Sequence, residues 1–164
     1  MTHLADLTAQ LAQRMQSCGL MLATAESCTG GLIAATCTDL AGSSAWFERG
    51  FVSYSNEAKT QLLGVPAESI ACHGAVSEPV ARAMAQGALA HSAAQVAVAV
   101  TGVAGPSGGS ADKPVGTVWI AWAMADQVRA ERMQFSGDRA AVRQATVEHA
   151  LQGLLAMLES ATQR

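Results

Sequence analysis

The segment Gln95-Val96-Ala97-Val98-Ala99-Val100 runs through valine and alanine without a charge or a breaker. A run of that kind reads as a strand covered on both faces, since neither side alternates with polar residues. A sheet with such a strand at its centre needs helices above and below it, which sets a layered α/β architecture. The flanking segments supply them. Leu4, Leu7, Leu11 and Met15 recur at helical spacing up to Gly19, and Leu20–Thr24 follows as a short buried strand. Gly30–Ala35 opens a second helix with Ser27 or Thr29 as its cap. Arg49–Tyr54 reads as a strand, and Ser55 caps the helix that carries Lys59. Pro66–Gly74 reads as a turn, and Ser77-Glu78-Pro79 starts another helix. Val115–Met124 and Val128–Phe135 flank Ala125-Asp126-Gln127 as a hairpin, and Asp138 caps a last helix with the stripe Val147, Leu151, Leu154, Leu155, Leu158. The order α-β-α-β-α-α-β-β-β-α predicts a three-layer α/β domain with a mixed sheet, and the 164 residues fit one domain without a linker or an internal repeat.

Composition narrows the function. Hydrophobic residues make up 50% and charged residues 14%, which excludes a disordered chain. Aromatics are only 4%, and alanine dominates the apolar fraction, as in closely packed helices. The net charge is −3 and no Lys/Arg run occurs, so no nucleic-acid partner is expected, and an anionic ligand must be held by backbone amides and a few placed cations. Asp6 and Arg14 interrupt the apolar pattern of the first helix, so it is not read as a signal peptide. No uncharged apolar stretch reaches the length of a membrane span. Cys18, Cys28, Cys37 and Cys72 form neither a C-x-x-C pair nor a Cys/His ligand pattern, so reduced thiols in a cytoplasmic protein and no metal site are expected.

Polar or glycine-rich turns follow three of the strands, and ligands of open α/β sheets gather at such ends. In Glu26-Ser27-Cys28-Thr29-Gly30-Gly31 a serine stands between strand and helix, beside glycines that let a substrate approach and amides that can meet an oxyanion. The same pattern also serves an ordinary capped helix start. In the second turn, Tyr54 and Lys59 can reach one rim; to act as a base the lysine needs its ordinary pKa of about 10.4 lowered by roughly 3 units. The third turn, Thr101-Gly102-Val103-Ala104-Gly105-Pro106-Ser107-Gly108-Gly109, can cradle a phosphate or ribose but matches neither a P-loop nor G-x-G-x-x-G. Arg139, in the first turn of the last helix, suits a phosphate or carboxylate. His3, His73, His91 and His149 lie outside these turns, which leaves a Ser-His-Asp triad without its histidine.

TAESCTGGL (24–32), GFVSYSNEAK (50–59), GAVSE (74–78), TGVAGPSGG with KPVGTV (101–118) and FSGDR with Val142-Arg143 closely resemble the CinA carboxy-terminal domain family, five motifs in order over essentially the whole chain. The resemblance implies a single domain over residues 1–164, an α/β/α sandwich around a mixed five-stranded sheet, and hydrolysis of the carboxamide of nicotinamide mononucleotide without a cofactor. It assigns Ser27 as nucleophile, with Lys59 and Tyr54 supporting it and the division of labour between those two open. Thr101 and Arg139 fall on the family's threonine and arginine, and substrate contacts are expected from Thr29, Gly30, Gly31, Gly102, Gly105, Gly108 and Gly109. The amides of Thr29–Gly31, or that of Gly102, would hold the oxyanion. Cys28 is a rival nucleophile. The partners implied are a small-molecule nucleotide and, on family grounds only, a homo-oligomer. A non-catalytic nucleotide-binding regulatory module is the alternative function.

Overall fold

A computed structural model describes residues 2–162. The elements are α1 (His3–Cys18), β1 (Leu22–Glu26), α2 (Leu32–Thr38), β2 (Phe47–Val52), α3 (Asn56–Leu63), α4 (Ala67–His73), α5 (Glu78–Ala90), β3 (Val96–Gly102), β4 (Thr117–Met124), β5 (Gln127–Gln134) and α6 (Arg139–Thr162). The five strands form one sheet in the order β2-β1-β3-β4-β5. β2, β1 and β3 run parallel, while β4 pairs antiparallel with both β3 and β5, so the sheet is mixed as expected.

The period-2 alternation of the strands sorts large from small side chains. Leu22, Val96, Val98, Val100, Val118, Ile120 and Trp122 join one core with α1, α2 and α6. Ala23, Ala25, Ala97, Ala99, Ala121 and Ala123 point to the other face, where α5 lies close against them. Alanine leaves room for a helix axis to approach the sheet, which is why the Val/Ala run carries two unlike layers.

The closest approach on that second face fixes α3, the helix that carries Lys59. A Cβ added at Gly87 of α5 would stand 1.9 Å from the backbone oxygen of Leu63, the last residue of α3. That neighbour is backbone and cannot rotate away. Gly87→Ala is therefore expected to cost about 3 kcal/mol and to lower the unfolding midpoint by about 5–10 °C, read by thermal denaturation.

Three local expectations are corrected. The Pro66–Gly74 turn holds α4, a seven-residue helix that starts after Pro66 and buries only Ile70, too short for a legible periodicity. α2 begins at Leu32 rather than Gly30, because Gly30 and Gly31 take left-handed φ values of 59° and 105°. Ser77 stands at the cap position of α5, yet its hydroxyl donates to the carbonyl of Gly74. Asp138 does cap α6, accepting the Ala141 N–H at 2.9 Å.

Candidate active site

β1, β2 and β3 end side by side, and their three following turns converge there. Ser27 continues β1 by one residue, its N–H bonded to the carbonyl of Val100 on β3. The Ser53 N–H donates to the Glu26 carbonyl at 2.9 Å, which carries the β1–β2 pairing past the last strand residue. Lys59 reaches back from α3 to this junction. Its Nζ lies 2.9 Å from Ser27 Oγ, 3.1 Å from the Ser53 carbonyl and 3.0 Å from the Tyr54 carbonyl. Lys59 is 1% exposed and Ser27 8%.

All three partners of the amine are uncharged oxygens, and desolvation by burial holds its pKa below the ordinary lysine value. A neutral amine has two N–H donors and one lone pair. In the neutral form the two carbonyls would take these donors and the lone pair would face the serine hydroxyl.

Tyr54 enters this site by its backbone. Its carbonyl holds Lys59, whereas the phenol is 60% exposed and accepts from Arg139 Nη2 at 3.4 Å. Arg139 Nη1 donates to the Gly105 carbonyl at 2.9 Å, so the guanidinium ties the glycine-rich loop to the start of α6. Thr101 is buried and its hydroxyl donates to the Ala75 carbonyl at 3.0 Å, anchoring the loop ahead of α5.

The glycine pattern has a packing origin at several of its positions. A Cβ at Gly102 would stand 2.7 Å from Val118 Cγ2, one at Gly105 2.4 Å from Val115 Cγ1, and one at Gly109 2.9 Å from the Val115 nitrogen. These glycines let the loop fold back on its own return strand. Gly108 is exposed and meets only Val103, at 3.8 Å.

The turn after Ser27 differs from a simple capped helix. Glu26, fully buried, accepts from the Thr29 hydroxyl and the Ile33 N–H through Oε1 and from the Ala34 N–H through Oε2. The carboxylate of Glu26 thus caps α2, where the sequence suggested Ser27 or Thr29. The first amides of that helix are consumed and do not form an anion site. The Thr29 hydroxyl is likewise spent within the protein, on Glu26. The Gly30 N–H bonds to the Ser27 carbonyl, while those of Thr29 and Gly31 meet no acceptor among the described residues. Arg143, quoted in a motif but given no role there, donates from Nη2 to the Thr29 carbonyl at 3.0 Å.

Cys28 points into the core and is 6% exposed; burial pushes its thiol up to about 11. At neutral pH such a thiol stays protonated rather than forming the reactive thiolate.

A buried serine–lysine pair stands at the strand ends of a mixed α/β sheet, and the chain belongs to the CinA C-terminal domain family, whose model matches residues 4–158. Its relatives include the nicotinamide-nucleotide amidohydrolase PncC of Escherichia coli strain K12, 55% identical over 93% of each chain. The protein of the same name from Pseudomonas putida is 54% identical over 94% of this chain and 97% of its own. Among solved structures, the competence/damage inducible protein CihA from Agrobacterium tumefaciens superposes with a TM-score of 0.94 at 47% identity, covering 97% of both chains.

Proposed function

We propose that this chain is an amidohydrolase that converts nicotinamide mononucleotide to nicotinate mononucleotide and ammonia, a step of pyridine-nucleotide salvage. The observation that carries the reading is the 2.9 Å approach of a buried, uncharged-oxygen-coordinated Lys59 amine to Ser27 Oγ. The names of relatives 54–55% identical over nearly the whole chain supply the substrate.

Ser27 Oγ attacks the amide carbon while its proton passes to Lys59 Nζ. The C–N bond then breaks as Lys59 returns the proton to departing ammonia, leaving an acyl-enzyme on Ser27. Water, deprotonated by the same amine, releases the carboxylate and restores the serine. The unpaired N–H groups of Thr29 and Gly31 are the donors for the tetrahedral oxygen, each worth about 3 kcal/mol of barrier in sites of this kind. Lys59 is the base in this scheme, since Tyr54 meets the amine through its carbonyl.

Arg139 and the Gly105–Gly109 loop it braces hold the 5′-phosphate, a remote contact that positions the reacting amide. Arg139 lines a hollow together with Ala104, Pro106 and Val115, which gives an anion a placed cation on an otherwise acidic protein. Residues 1–164 act as one domain in this reading, cytoplasmic, without nucleic-acid or membrane partners and with a second copy of the chain as its one macromolecular contact. No helix among the described residues is long and apolar enough to cross a membrane.

Ammonia release measured with nicotinamide mononucleotide, free nicotinamide and glutamine tests the proposal. Release from the mononucleotide, with little from the other two, is expected. Release from glutamine or nicotinamide alone would redirect the substrate class. Binding of the mononucleotide without ammonia would return the chain to a regulatory binding module.

A further inference from the structure

Thr29 is held from two sides by residues that no substrate contact explains. On one side its hydroxyl donates to Glu26, the carboxylate that also gathers the Ile33 and Ala34 amides. On the other its carbonyl accepts from Arg143 Nη2 on α6 at 3.0 Å. Thr29 and Glu26 are both fully buried. The two contacts fix the side chain of Thr29 and the peptide plane that follows it, in a turn where Gly30 and Gly31 would otherwise leave the backbone free in the left-handed region. Gly30 itself stands against the same arginine: a Cβ there would lie 3.7 Å from Arg143 Nη2.

Glu26 is also linked to the lysine half of the site. Its carbonyl accepts the Ser53 N–H, and the Ser53 carbonyl accepts from Lys59. One residue therefore sits between the turn that presents Ser27 and the backbone cradle that presents the base. Arg143 keeps a buried Nε without a partner, so its guanidinium is oriented at some cost toward the Thr29 carbonyl.

We infer that Glu26, Thr29 and Arg143 form a brace of positioning residues that holds the Ser27–Gly31 turn in its reactive shape. The inference rests on Ser27 being the nucleophile of the proposed amidase. The brace touches no reacting atom. Its effect is to keep the serine hydroxyl on the lysine lone pair and the Thr29 N–H fixed before the oxyanion forms, the condition under which such donors lower a barrier.

Thr29→Val keeps the shape and removes the hydroxyl, and Thr29→Ser restores the hydroxyl without the methyl. Arg143→Met approaches the turn from the other side, and serves where Thr29→Val loses its fold by circular dichroism. Kinetics on nicotinamide mononucleotide should give a kcat lowered about 100-fold in Thr29→Val and in Arg143→Met, with KM within about threefold of the parent. Thr29→Ser should recover most of kcat. A raised KM with kcat intact in Arg143→Met would make that residue a substrate contact and overturn the brace, as would a Thr29→Val enzyme with parental kcat. Ser27→Ala assayed alongside separates the two layers of the argument. If it is inactive while Thr29→Val turns over normally, the brace alone fails; if it stays active, the nucleophile assignment fails and takes the brace with it.

Discussion

Lys59→Met is expected to lower kcat/KM for nicotinamide mononucleotide by about 10⁴-fold while leaving the chain folded, the upper range for loss of a positioned base. The expectation follows from what surrounds the amine. Lys59 is buried among Ser27, Ser53 and Tyr54 oxygens, all uncharged, so its removal strands no buried counter-charge. Methionine fills a similar volume, and the two carbonyls lose a donor at a cost smaller than that of housing an ammonium. The parent enzyme should carry the matching pH signature. Only the neutral amine can take the serine proton, so kcat/KM rises with pH through the Lys59 pKa, which burial sets below its ordinary 10.5. The variant lacks this limb.

Folding stability reports the same group independently. Between the lowered folded pKa and the ordinary unfolded value, the unfolded chain binds a proton at Lys59 that the folded chain does not, so stability rises with pH across that window. Below the window both states are charged and the folded protein carries the full burial penalty. Lys59→Met removes that penalty, and urea denaturation at neutral pH should find the variant at least as stable as the parent. Cys28 and Cys37, raised to about 11 and about 12 by burial, act in the opposite sense above their unfolded value of 9.0. There the unfolded chain loses its protons first and stability falls with pH. Comparing parent and variant at each pH cancels the cysteine contribution and isolates the lysine. A Lys59→Met protein that is markedly less stable at neutral pH would mean that the amine is charged and favourably solvated in the folded state, and would remove it as a base.

How much of this was legible in the chain depends on the range of the interaction involved. The Val96–Val100 alternation announced the layers, because period-2 burial is a local property of a strand. The turns after β1, β2 and β3 announced the site, because parallel strands deliver their ends to one rim. Ser27 and Lys59 were singled out within those turns, although a separation of 32 positions gives no sign of a 2.9 Å contact. The sequence was least informative where side chain and backbone of one residue do different things. Tyr54 was read for its phenol, which meets Arg139, and its carbonyl is what touches the lysine. Thr29 was one of two residues expected to cap α2, and its hydroxyl instead donates to Glu26, whose capping oxygens lie seven and eight residues before the amides they hold. An acid immediately before a nucleophile, followed by a threonine three residues on, was the available signal for that cap. The glycines of the 102–109 loop suggested a cradle, and their tight contacts with Val115 and Val118 show a packing demand that composition cannot distinguish from a binding one.

Ser27→Ala should be as damaging as any single change, lowering ammonia release by about 10⁴-fold or more, because no other group at the site can form the acyl intermediate. Cys28→Ala should keep ammonia release, since a buried thiol with a pKa near 11 stays protonated and lies in the core. The informative protein is the double variant Ser27→Ala/Lys59→Met. If Lys59 acts only by taking the Ser27 proton, then once either partner is gone the other has nothing left to contribute. The double variant should then be no slower than the worse single one, a coupling nearly as large as the single effects themselves. Multiplying losses would instead mean that the two residues act in separate steps. In that case the hydrogen-bonded pair at 2.9 Å is a structural contact, and another group must activate the attacking atom.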